Sequence, residues 1–305
     1  MAAANRLVGG VATAARPVEA YLRMLSAVAE DLTDSIGGRA SDDPFALTDP
    51  YYIERTLPAL RVASRLYFRA EVKGLENIPE EGPVLLVGNH SGGTWIADTF
   101  VFAQQFYDHF GPARPFHQLA HDLVFKVPGL RTLAERYGTV PASPANMATA
   151  LERDAALLVY PGGDQETFRP SWESDQIDFA RRAGFVKLAL QYGVPIVPIV
   201  AIGGQETALF LGRGRRIASA LGLKRLMRLT VLPPALGPPA GLTVLDLPLR
   251  VPLPAKISIR VLKPIDLRER LGRQAEPEDG YQLITSTMQR TLTRLGNERS
   301  VPIVG

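Results

Sequence analysis

The sequence predicts an α/β fold, a mostly parallel sheet covered by helices and preceded by an N-terminal helical pair. Three observations carry this. Short β-rich runs at residues 84–87, 156–160, 194–202 and 256–262 alternate with segments of helical spacing. The runs LLVY and VPIVPIV are apolar at every position, as strands covered by helices on both faces must be. Ahead of residue 71 the spacing is helical only.

The first helix of the pair starts at Pro17, which suits a first turn, and carries Val18, Tyr21, Leu22, Leu25, Val28, Ala29 and Leu32 at helical spacing. Gly37-Gly38 ends it, and residues 41–49 form a polar linker. A second helix spans about residues 52–68, with Ile53, Leu57, Leu60, Ala63 and Tyr67 on one face. The chain thus divides into a helical region, residues 1–70, and an α/β domain, residues 71–305. Within the latter, Ser143-Pro144 caps and opens a helix, and another runs over 179–192 to Gly193. A last helix over about 279–295 aligns Ile284, Met288, Leu292 and Leu295.

At 305 residues, 46% hydrophobic and 21% charged, the composition is globular. The balance of 34 basic against 31 acidic residues is too even to imply a nucleic-acid partner, and none is expected. The absence of cysteine excludes disulfides, cysteine metal sites and thiol nucleophiles. The N-terminus lacks the continuous apolar core of a signal peptide, and nowhere do about 18 apolar residues run without a charge. The most apolar region, residues 229–253, is broken by prolines, so a spanning helix is not expected. Residues 207–245 nevertheless hold no acid but do hold Arg213, Arg215, Arg216, Lys224, Arg225 and Arg228 among leucines. With the apolar stretch at 232–242, this segment suits docking on an anionic membrane surface, or else a solvated helix and a packed loop.

The chemistry concentrates in two loops. VLLVGNHSGGTWIADTFVF, residues 84–102, places His90 directly after a strand, where ligands of such sheets bind. Asp98 opens the next helix. If the loop folds back, the carboxylate holds one imidazole nitrogen and leaves the other as a base. Otherwise Asn89 and His90 make turn hydrogen bonds and Asp98 only caps. ALLVYPGGDQETFRP, residues 156–170, repeats the order of strand, glycine turn and polar residues. His117 and His121 stand four apart, but Gln118 occupies the place of the glutamate a zincin needs and no third ligand is evident. No metal is expected. There is no G-x-S-x-G elbow, no GK[ST], and no third glycine after Gly212-Arg213-Gly214.

Together these blocks resemble the glycerolipid acyltransferase superfamily over about residues 68–267. Asn89-His90 with Asp98 is similar to its catalytic block, although seven residues separate His90 from Asp98 where the family commonly has four. Tyr160-Pro161-Gly162-Gly163 with Glu166 is similar to its acceptor block, in the form of the diacylglycerol acyltransferase-like branch. GFVKLA at 184–189, VPIVP at 194–198 and KISIRVLKPID at 256–266 also fit that branch.

The resemblance implies an O-acyltransferase that uses acyl-CoA or acyl-carrier protein as co-substrate, without a cofactor, and a glycerolipid-like acceptor. His90 would be the general base and Asp98 would fix its tautomer. The N–H groups of Gly162 and Gly163 are candidates for the oxyanion, or the two glycines only make a tight turn. Glu166 and Arg169 would lie near the acceptor headgroup. The preceding block, GTVPASP at 138–144, lacks the arginine that binds a phosphate in the lysophosphatidate branch, which favours a neutral or differently charged acceptor over lysophosphatidate. The expected place is the cytoplasmic face of a membrane, held peripherally. The alternative is a non-catalytic lipid-binding protein on the same scaffold.

Overall fold

The computed structural model describes residues 41–126, 128–223, 225, 229–237, 241–243, 251–272 and 274–299. The first expected helix lies outside them, as do Lys224 and Arg228. Ten strands are described: β1 (Glu71–Lys73), β2 (Val84–Gly88), β3 (Phe116–Ala120), β4 (Thr139–Pro141), β5 (Ala156–Val159), β6 (Ile196–Ile202), β7 (Leu209–Phe210), β8 (Ala235–Gly237), β9 (Gly241–Thr243) and β10 (Ser258–Val261). Seven of them form one sheet in the order β1-β10-β6-β2-β5-β3-β4. Its pairs are parallel except β10 with β6, so the expected mostly parallel sheet is present.

The nine helices among the described residues are α1 (Pro50–Val62), α2 (Ala97–Phe110), α3 (Pro128–Arg136), α4 (Pro144–Glu152), α5 (Gly163–Thr167), α6 (Gly184–Tyr192), α7 (Arg215–Ala220), α8 (Leu267–Leu271) and α9 (Pro277–Glu298). Alternation along β2 builds the two layers. Val84 and Leu86 point into a core shared with Ile53 and Leu57 of α1 and Val101 and Phe106 of α2. Leu85 and Val87 point into the opposite core, with Val186 of α6 and Ile284, Met288 and Leu292 of α9. Leu85, Leu86, Leu157 and Leu158 are fully buried, which contributes about 1.5–3 kcal/mol each and pins the central strands.

The start at Ser143 follows the cap read from sequence, whereas the second N-terminal helix opens at Pro50, two residues ahead of its expected start, on a cap by Asp49. The Asp49 carboxylate accepts from Tyr52 N at 3.0 Å and the Ser143 hydroxyl from Asn146 N at 3.1 Å, each ahead of a proline in the first turn. The second N-terminal helix ends α-helically at Val62 and continues to Tyr67 as a π-helical turn. The helix expected over 179–192 begins only at Gly184, because Ala180 and Arg181 take positive φ (50° and 57°) just after the buried Phe179. Strands β3 and β4 lie where no strand was expected. The pattern FHQLA is amphipathic and its pairing is decided by β5.

A second sheet, β7-β8-β9, is antiparallel and carries the apolar segment that the sequence marked as membrane-seeking. Leu232 and Ala235, inside the stretch 232–242 expected to insert, are instead buried. No helix among the described residues is long and apolar enough to cross a membrane.

Candidate active site

Strands β6, β2 and β5 are adjacent and parallel, so the loops at their carboxyl ends converge. The Asn89 side chain extends the sheet past β2, its Nδ2 donating to the Ala201 carbonyl and its Oδ1 accepting from Ala201 N, both at 2.8 Å. His90 therefore leaves the sheet edge at a fixed height, with its side chain mostly buried.

The seven-residue spacer closes on itself. Gly92 has φ +91°, a 3₁₀ turn spans Gly93–Trp95, and Ile96 takes φ +21° before α2 begins. This left-handed backbone is costly for a β-branched residue and is the kind of strain that tertiary contacts hold at functional loops. It returns Asp98 beneath Ser91, whose N–H and hydroxyl both donate to Asp98 Oδ2 at 3.0 Å. Asp98 Oδ1 accepts from Thr99 N at 2.8 Å and lies 3.7 Å from His90 Nδ1. That separation is ion-pair reach, and Nδ1 has no hydrogen-bond partner. Both readings of Asp98 thus describe it in part: it orders the turn and faces the imidazole.

The second loop meets the first through Glu166. Its Oε2 accepts the His90 backbone N–H at 2.9 Å, and its Oε1 accepts from Asp178 N and Arg169 Nη1 at 3.3 Å. Glu166 and Arg169 are at most 1% exposed. Burial pushes the Glu166 carboxyl up to about 7, against the pull of Arg169 and of the two N–H donors. Arg169 also donates to the Gln176 carbonyl, while its Nε and Nη2 have no partner. Its guanidinium is held inside the fold beside Glu166.

Gly162 allows Glu166 to approach, since a Cβ there would stand 2.5 Å from Glu166 Cβ. Gly163 (φ +51°) donates its N–H to the Tyr160 carbonyl at 3.1 Å. Of the two expected oxyanion donors, the Gly163 group is spent in the turn. Arg182 straps that turn, donating to the Pro161 and Gly162 carbonyls at 3.2 and 3.1 Å and pairing with Asp164 at 3.2 Å.

Three contributors had no role assigned from sequence, although Tyr160 opens the acceptor block. Tyr160 stacks on His90, with its hydroxyl 2.9 Å from the Thr99 hydroxyl. Gln205, just past β6, accepts from Gly92 N at 3.3 Å and donates to the Arg169 carbonyl, tying the third loop to the other two. Arg182 lies outside both quoted blocks. A polar residue after a glycine pair at the end of a strand was the available signal for Gln205. Elsewhere, His117 is internal to the fold: its Nδ1 lies 3.0 Å from the Gly138 carbonyl and Phe45 packs edge-on against its ring. His121 Nδ1 accepts from Leu123 N at 3.1 Å. Arg213 is also committed, donating to the Gln165 carbonyl at 2.7 Å and pairing with Glu173.

Known proteins are similar to this chain in sequence and in fold. The family described as Acyltransferase matches residues 69–202, the span from β1 through β6 that holds His90, Asp98 and Glu166. An uncharacterized protein of Mycobacterium tuberculosis is 31% identical over 278 residues, covering 90% of this chain and 74% of that one. The DGAT1/2-independent enzyme synthesizing storage lipids of Bos taurus is 32% identical over 145 residues, 48% of this chain and 42% of that one. The crystal structure of the 1-acyl-sn-glycerophosphate acyltransferase PlsC of Thermotoga maritima superposes with a TM-score of 0.53 at 14% identity, over 93% of this chain and 97% of that chain, and so shares its fold. This chain belongs to the glycerolipid acyltransferase superfamily and is an acyltransferase.

Proposed function

We propose that the protein moves a fatty acyl group from an acyl thioester, on CoA or an acyl-carrier protein, to a hydroxyl of a glycerolipid-like acceptor at a membrane surface. The observation that carries this reading is the placement of His90. It sits at the carboxyl end of the central strand with Nδ1 toward the buried Asp98, leaving Nε2 as the base. His90 Nε2 takes the acceptor's hydroxyl proton as the oxygen attacks the thioester carbon. The tetrahedral intermediate then collapses with loss of the carbon–sulfur bond, and the proton passes to the departing thiolate. The Gly162 N–H is the remaining candidate donor to the oxyanion. Asp98 favours the imidazolium formed between these steps.

A neutral acceptor fits better than lysophosphatidate. Residues 138–144 hold no arginine, and Arg169, which follows the acceptor block, is buried against Glu166. The Bos taurus relative is named for synthesizing storage lipids.

The test is thioester consumption by purified protein with a panel of lipid acceptors, comparing parent with His90→Ala. The variant should lose at least about 100-fold in turnover, the lower end of general-base contributions. Its melting temperature should change little, since Nδ1 has no hydrogen bond to lose and the stack on Tyr160 is worth only about 0.5–1.5 kcal/mol. Near-parental turnover would remove the mechanism. No consumption by the parent with any acceptor would favour a lipid-binding role instead.

A further inference from the structure

We infer that the small sheet β7-β8-β9 is a membrane-docking face, which lays a ladder of leucines into an anionic bilayer beside the acceptor block. The register sets Leu209 opposite Leu236 and Leu236 opposite Leu242, so the three side chains share one face. They are 41%, 43% and 62% exposed. The partners of the other face, Phe210 and Ala235, are fully buried, and Phe210 packs edge-on against Phe168. An apolar strand face without a partner among the described residues, this close to a buried one, is the half of the sheet that water does not favour.

The occupant follows from charge and from position. Residues 207–245 carry no acid, and with Arg213 paired internally, the exposed Arg216 and Arg225 remain to meet an anionic surface. A second copy of the chain would set this uncompensated positive segment against itself, which disfavours a self-contact. Trp172 is 67% exposed, and its neighbour Ser171 bonds both sides of β7, accepting from Phe210 N at 2.9 Å and donating to the Ala208 carbonyl at 3.2 Å. An exposed indole at the rim of an apolar patch is the side chain best suited to the headgroup layer.

The sheet is also clamped to the acceptor block. Thr230 donates to Asp164 Oδ2 through N–H (2.8 Å) and hydroxyl (2.6 Å), and Arg213 reaches the Gln165 carbonyl. Docking here therefore brings α5, whose Glu166 holds the His90 backbone, to the bilayer interface. This deepens the proposed function and rests on its placing the acceptor in a membrane, but binding can be read without turnover.

The experiment is sedimentation of the full chain with vesicles of phosphatidylcholine alone and of phosphatidylcholine with equimolar phosphatidylglycerol, beside turnover of a water-soluble short-chain alcohol acceptor. Parent should bind the anionic vesicles, lose several-fold but not all of that binding at high salt, and show a blue shift of tryptophan emission that Trp172→Phe, which leaves only Trp95, removes. Leu236→Asp with Leu242→Asp should weaken vesicle binding at least about tenfold, while Arg216→Glu with Arg225→Glu should remove the anionic preference. Both double variants should keep soluble-acceptor turnover. Vesicle binding by the leucine double variant equal to parent overturns the inference, as does a parental dimer in gel filtration that the same variant splits. If parent binds through this face yet consumes no thioester, the docking surface stands and the acyltransferase mechanism falls.

Discussion

The Tyr160 ring lies stacked against the His90 imidazole, with centroids 4.2 Å apart and planes inclined by 20°. With Nδ1 unbonded, this stack and the backbone bond to Glu166 fix where the base points. Burial, reinforced by the Asp98 charge, pushes the Tyr160 hydroxyl well above the ordinary tyrosine range, so it stays a neutral phenol and positions rather than exchanges protons. Ring stacking is worth about 0.5–1.5 kcal/mol, so Tyr160→Leu should lower kcat up to about tenfold with KM little changed. Tyr160→Phe keeps the stack and should retain most of the rate. A phenylalanine variant as impaired as the leucine one would assign the effect to the hydroxyl.

Gly88 makes room for that stack. A Cβ on Gly88 would stand 2.5 Å from Tyr160 Cε1, and the ring has His90 on it and Thr99 at its tip. Gly88→Ala should therefore displace Tyr160 and reduce turnover, although its backbone lies in a strand that alanine accepts. Pairing it with Tyr160→Leu checks the cause: the double variant should be no slower than the tyrosine variant alone.

Asp98 supports the loop as well as the imidazole. Its two oxygens accept separate backbone donors, Ser91 N and Thr99 N, so either orientation of an amide would set N–H against N–H. Asp98→Asn should cost about 1–3 kcal/mol in stability, read as a lowered Tm, together with a loss of turnover. His90→Ala should show the turnover loss with little change in Tm. An unchanged Tm for Asp98→Asn would mean that the loop is held by other contacts.

Glu166 gives folding a pH dependence with a definite sign. Burial raises its carboxyl from 4.5 to about 7 in the folded chain, so the folded state retains a proton that the unfolded chain releases. Its contribution is full below about pH 4.5 and is lost as pH rises through about 7, an effect of up to about 3 kcal/mol. Denaturant melts across that window should show a decline with pH that is flattened in Glu166→Gln. An equally steep decline in that variant would place the titration on another group.

Much of this protein is readable in its sequence because its signals are local. Apolar runs marked β2, β5 and β6, a cap and proline marked the start of α4, and a histidine directly past a strand marked the candidate site. Strands β3 and β4 were not readable, since their mixed patterns become strands only by pairing outward from β5. The fate of each polar group was decided by contacts distant along the chain. A spacer of seven residues still returns Asp98 to His90, because Gly92 and Ile96 turn the backbone left-handed under tertiary restraint. Arg169 and Arg213 read as available cations but are committed to Glu166 and Glu173. Leu232 is buried while Leu236 and Leu242 face outward, a choice made by strand register and by Phe168 beneath the small sheet. Periodicity and caps act within a few residues, so sequence alone determined them; partners of charges and exposed faces depend on which strands lie side by side, and only the packed sheet decides that.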